Sequence, residues 1–190
     1  MKNRFKLPTK SNLKNRTSTI SNAFAIAITP YIRPKDVEMD RFLEELQLKN
    51  GRCAYCLGKA NAMDHVKPLV TNGLPTGYIT EIRNLVPCCS ACNSAKGAQE
   101  FKTWYKSKKN IERLHNEGLT DDQIEKRFEI LSEYVNKIPD PIDYKTILGD
   151  ELWQEFLERK DNMIKLLKEN QSFCDKLNAI IKEKINLEND

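Results

Sequence analysis

A chain of 190 residues with 31 Lys plus Arg, 27 Asp plus Glu, 39% apolar residues and six cysteines is long enough for one domain or one and a half. Leu, Ile, Val and Phe number 47, about a quarter of the chain, which excludes a wholly disordered protein. The longest apolar run, Ala23 to Ile28, has six residues where a bilayer needs about 20; it is also too short for a secretion signal, so no membrane partner and a cytoplasmic location are expected.

The net charge of +4 is unevenly spread. Residues 1–16 carry +6 with no acid, residues 17–50 carry −1, residues 51–109 carry +6 and residues 110–190 carry −7. A polyanion would therefore be drawn to the first arm and to the cysteine-bearing middle. Solvated basic tails are also common, so charge by itself does not decide for nucleic acid.

In chain order, Met1 to about Arg16 has little apolar periodicity and is expected to order only on a partner. A helix is expected from about Asp36 or Val37 to Leu48, with Val37, Phe42, Leu43 and Leu46 on one side and Lys49-Asn50-Gly51 as the stop. Residues 52–97 break into short pieces, with a strand expected over Ala62 to Val66 and turns at Asn72-Gly73 and Pro75-Thr76-Gly77. The strip from Val70 to Ile82 is either a connecting loop or a surface close to substrate. Beyond Gly97 the pattern is helical. Thr120 with Gln123 reads as a capping box ahead of Ile124, Phe128, Leu131 and Val135. Pro139-Asp140-Pro141 reads as a hinge. Asp150 can cap a further helix whose Trp153, Leu157, Ile164, Leu167, Cys174, Ile181 and Ile185 recur near every seventh residue, with Cys174 expected to be buried and inert; alternatively Ser172 starts a second helix.

Cys53-Ala54-Tyr55-Cys56 and Cys89-Ser90-Ala91-Cys92 are two CxxC pairs, the spacing of a tetrahedral zinc-thiolate site. Cys88 competes with Cys89 as a ligand, and the symmetry of the pairs favours Cys89. The 32 residues between the pairs exceed what a simple zinc ribbon requires. They hold Asp64-His65-Val66-Lys67-Pro68 and Asn84-Leu85-Val86-Pro87, and the second pair runs into Asn93-Ser94-Ala95-Lys96-Gly97.

Over residues 51–97 these elements resemble the HNH nucleases, also called ββα-metal or His-Me finger nucleases. The resemblance implies an α+β fold with a small zinc-stapled ββα core embedded in a mostly helical chain. It implies His65 as general base, Asp64 as a ligand of a catalytic Mg²⁺ or Mn²⁺, Asn84 as the residue that orients His65, and structural zinc on Cys53, Cys56, Cys89 and Cys92. Asn93 stands where many members carry His, an HNN pattern shared with the HNH domain of RNA-guided CRISPR nucleases. Its amide oxygen suits a hard cation. Lys67 and Lys96 are expected at substrate phosphates. Asp64 and His65 are neighbours on a strand and can serve one site only if the strand twists or ends there. Trp104, Tyr105, Lys106, Lys108 and Lys109 form either a DNA grip or a packed Trp104 beneath a solvated lysine face. His115 reads as an ordinary surface residue.

These readings divide the chain into a basic arm and helix over 1–50, a nuclease core over 51–109 and a helical region over 110–190, the last a candidate for homodimer contact or target recognition. The expected activity is metal-dependent hydrolysis of double-stranded DNA in restriction or defence. The alternatives are a phage or mobile-element HNH nuclease, an enzyme acting on RNA or single strands, and a non-catalytic zinc module that binds nucleic acid.

Overall fold

The computed structural model describes residues 11–49 and 51–185. The chain is α+β and mostly helical. It forms two compact units, one of Ala25–Tyr144 and one of Met1–Phe24 with Lys145–Asp190.

In the Ala25–Tyr144 unit, β1 (Ala62–His65) pairs antiparallel with β4 (Leu85–Cys88), setting Asp64 opposite Val86 and His65 opposite Leu85. Helix α3 (Ser90–Lys96) follows β4 directly, completing a ββα arrangement. Between the strands, β2 (Val70–Thr71) and β3 (Leu74–Pro75) make a tight hairpin. Its turn residues Asn72 and Gly73 have φ of 54° and 73°, the left-handed pair that a two-residue hairpin requires. The loop after β3 presses its Gly77 (φ +91°) against residues 141–142: Ile142 N–H donates to Gly77 O at 2.9 Å, and a Cβ at position 77 would lie 2.3 Å from Ile142 O.

Helices α2 (Asp36–Glu45), α4 (Phe101–Tyr105), α5 (Lys108–Asn116) and α6 (Asp121–Asn136) belong to the same unit. Tyr55, fully buried, meets Trp104 edge-on at 5.0 Å and Phe101 at 6.2 Å; Phe101 and Tyr105 in turn stack on Phe128 of α6. Each such burial contributes about 1.5–3 kcal/mol. From α6, Arg127 donates to Leu46 O at 2.7 Å and Ala54 O at 3.0 Å. Tyr134, also on α6, donates its hydroxyl to Ile82 O at 2.6 Å. Trp104 and Tyr105 are thus core groups, and the aromatic half of the suggested DNA grip is spent on packing. The Thr120–Gln123 capping box forms in both directions. Helix α2 buries Phe42 and packs Leu43 where expected, while Val37 faces solvent.

In the other unit, Asn12 caps one turn of 3₁₀ helix over Leu13–Arg16, which runs into α1 (Thr17–Ala27). Leu13 N–H donates to Gln171 Oε1 at 2.6 Å and Phe24 stacks on Phe156 at 4.9 Å. The end of the basic arm is therefore ordered by its own chain, contrary to expectation; residues 1–10 lie outside the described residues. Helix α7 (Tyr144–Lys184) leaves helical geometry at Gly149 (φ 79°, ψ 164°) and resumes at Asp150, where a helix start was expected. Ser172 starts no new helix, because its hydroxyl donates back to Lys168 O at 3.2 Å inside α7. Cys174 is exposed rather than buried: it lies one turn beyond Gln171, where Leu13 N–H donates, beside an open cleft lined by Ser11, Leu13 and Asn178. No helix among the described residues is long and apolar enough to cross a membrane.

Candidate metal centre and active site

The first cysteine pair sits on a tight loop closed by Cys53 N–H donating to Gly58 O at 2.7 Å and Leu57 N–H donating to Cys53 O at 3.0 Å. A Cβ at Gly58 would lie 3.3 Å from Cys56 Sγ. The second pair opens α3, where Cys89 Sγ accepts from Cys92 N–H at 3.4 Å. The ligand atoms of Cys53, Cys56, Cys89 and Cys92 all fall within 4.8 Å of one another, and Cys56 and Cys89 are 3.8 Å apart. A tetrahedron with zinc–sulfur bonds of about 2.3 Å has edges of about 3.8 Å. The donor set and its spacing fit a structural zinc ion.

The sulfurs of Cys53, Cys56 and Cys92 interact strongly with one another. Hydrogen bonds from Cys56 and Cys92 pull Cys53 down to about 2, and the same contacts with Cys53 push the Cys56 and Cys92 thiols far above their ordinary range. Four thiolates in one pocket require a cation between them. Arg113 adds positive charge nearby: burial alone would lower its pKa, and Cys92 beside it reverses the shift. Cys88 is separate. It lies on β4 opposite Ala62, fully buried in the apolar core, and burial pushes its thiol up to about 12.

β1 ends on Asp64 and His65, paired with Val86 and Leu85. They meet different partners. Asp64 is 6% exposed; its Oδ2 accepts from Tyr55 Oη at 2.6 Å and forms an ion pair with Lys96 Nζ at 3.1 Å. Burial and the Asp64 charge raise the Tyr55 pKa well above its ordinary value, so the phenol stays a donor. The half-buried imidazole of His65 meets Thr80 Oγ1 through Nε2 at 2.9 Å. Burial lowers the His65 pKa, Asp64 opposes the shift and Lys96 reinforces it.

Asn84, 1% exposed, clamps the loop that carries Thr80. Its Oδ1 accepts from Lys67 N–H at 2.8 Å, and its Nδ2 donates to Lys67 O and Ile79 O, each at 3.1 Å. Thr80 is fixed from the far side as well, since its N–H donates to Pro30 O at 3.1 Å and its carbonyl accepts from Ile32 N–H at 2.8 Å. Within the strip from Val70 to Ile82, Thr80 is thus the residue that meets the imidazole. The side chain of Lys67 extends over the Tyr78 ring at 5.9 Å.

Lys96 lies elsewhere than expected. Its side chain is wholly buried, with Nζ donating to His65 O at 2.8 Å besides pairing with Asp64, so it does not present charge to a phosphate. Asn93, three residues earlier on α3 and hence on the same helical face, is half-buried, and its carboxamide makes no hydrogen bond among the described residues. Both contacts to Asp64 use Oδ2. An Asp64 carboxylate oxygen and an Asn93 amide oxygen are hard donors that fit Mg²⁺ or Mn²⁺, an ion that keeps several waters and takes phosphate oxygens as further ligands. His115, in the last turn of α5, is hydrogen-bonded to Leu119 O at 3.0 Å and lies 3.2 Å from Asp121 Oδ1.

Thr80 and Tyr55 escaped the sequence reading. Thr80 is 15 residues from the imidazole it meets and sits in no motif; Tyr55 had a signal, as an aromatic between two metal-binding cysteines, but not one that named Asp64 as its partner.

Compared with known proteins, residues 53–99 match the family model described as HNH endonuclease. No curated protein and no solved structure matches the chain.

Proposed function

Taking the HNH endonuclease segment at residues 53–99 as premise, we propose that this protein is a metal-dependent endonuclease that hydrolyses phosphodiester bonds of double-stranded DNA, with His65 as general base. The observation that supports this most is the imidazole itself: half-buried, drawn below its ordinary pKa and fixed through Nε2 by Thr80. A neutral imidazole whose Nε2–H donates to Thr80 keeps the Nδ1 lone pair for a water proton. Asn84 holds the loop that orients it. Lys96 and Tyr55 fix the Asp64 carboxylate by Oδ2, leaving Oδ1 and the Asn93 amide oxygen to hold the divalent ion. When bound, Mg²⁺ or Mn²⁺ supplies charge neutralisation at the scissile phosphate and the leaving oxygen.

Zinc on Cys53, Cys56, Cys89 and Cys92 serves the scaffold, since four thiolate ligands leave no open position. The +6 of residues 51–109 favours a polyanionic substrate, with Lys67 lying over the Tyr78 ring a candidate contact. One core cuts one strand, so a double-strand break calls for two copies. Such a core suits a restriction or other defence nuclease, or one of a phage or mobile element, acting in the cytoplasm.

A plasmid-nicking assay tests the chemistry. His65→Ala is expected to keep zinc and DNA affinity while losing about 10²–10⁴ in rate. Wild-type speed in that variant would remove His65 from the mechanism. Cleavage of matched duplex DNA, single-stranded DNA and RNA under added magnesium or manganese identifies the substrate.

A further inference from the structure

Along α7 a second apolar stripe runs beside the one occupied by α1. Met163, Leu166, Phe173, Leu177 and Ile180 are spaced as a and d positions of heptads, with Asn170 at a further a position. No described residue covers them: Leu166 and Phe173 are each 58% exposed, and the other three are exposed too. Five large apolar side chains in register over about 26 Å of helix form a seam of coiled-coil kind.

We propose that this seam binds the same seam of a second copy of the chain, with the two helices antiparallel. The flanking charges favour that occupant and that direction. Residues 162, 169, 176 and 183 occupy the g positions, as Asn, Glu, Lys and Glu. With the helices antiparallel and centred near residues 171–172, Met163 packs on Ile180 of the second copy and Leu166 on its Leu177. Glu169 then faces Lys176 of the second copy, and by symmetry the pair occurs twice. In a parallel pair the same Glu169 and Lys176 would face Cys174 and Ile181 of the second copy, and no charge would be matched. The antiparallel pair is self-complementary, as a two-fold interface must be. It rests on the Lys145–Asp190 part of the chain and stands apart from the nuclease reading, for which it would supply the second core.

Sedimentation velocity on the full zinc-loaded chain of 22.0 kDa is expected to show a dimer at micromolar concentration. Phe173→Asp should give a monomer with an unchanged zinc content. Glu169→Lys sets Lys against Lys at two places and should weaken the dimer roughly tenfold, and adding Lys176→Glu should restore it. A wild-type monomer at tens of micromolar overturns the proposal. A dimer indifferent to Phe173→Asp overturns the seam, and one indifferent to Glu169→Lys overturns the antiparallel register.

Discussion

Lys96 Nζ lies 3.1 Å from Asp64 Oδ2, in an ion pair whose two side chains are 0% and 7% exposed. A lysine that the motif offers to solvent is thus an internal strut between α3 and β1. Removing it strands a buried carboxylate. Lys96→Ala is expected to cost about 3–5 kcal/mol of stability, seen as a fall in denaturant midpoint. Lys96→Ala with wild-type stability would show that the pair carries no such load.

Thr80 gives a test that separates positioning from folding. Thr80→Val keeps the shape and removes the hydroxyl that holds Nε2 of His65. It is expected to lower kcat roughly ten- to a hundredfold with KM little changed, whereas Thr80→Ser keeps most of the activity. Equal loss in both variants, measured under single-turnover conditions, would show that the hydroxyl does not orient the base.

The pH dependence follows from the direction of the His65 shift. Its pKa is lowered from 6.5, chiefly by burial, and a general base acts as the neutral ring. Cleavage should therefore be flat through neutral pH and fall only as the pH drops through a value below 6.5. An acid limb centred above 6.5 in a single-turnover pH profile would contradict the buried, desolvated imidazole.

For the cysteines, elemental analysis of the purified chain is expected to find one zinc per chain. Cys92→Ser should lose the metal and lower the melting temperature steeply, since zinc binding is worth roughly 10–16 kcal/mol in small zinc domains. Cys88→Ser should retain the full zinc content, as its thiol belongs to the apolar core. Zinc loss in Cys88→Ser alone would reassign the fourth ligand.

Features set by local chemistry were readable from the chain. The CxxC pairs, the Thr120–Gln123 box and the strand through Asp64 and His65 each declare themselves within a few residues, because turn geometry, capping and alternation are short-range rules. What stayed hidden depends on distant partners. Nothing near Lys96 announces that it is buried against Asp64, 32 residues earlier, and nothing near Thr80 that it faces an imidazole. Cys174 misled because it lies on the stripe of α7 that is covered as far as Gln171, and periodicity alone does not say where that cover stops.

The contact between Gly77 and Ile142 sets a limit on dissection. The loop that holds the His65 ring is moored at one end to residues 30–32 and at the other to residues 141–142, both far outside the 53–99 stretch that bears the family signature. A fragment cut at those signature limits would keep every residue of the motif and lose both moorings. Any portable version of this site must carry the chain from about residue 30 to residue 142.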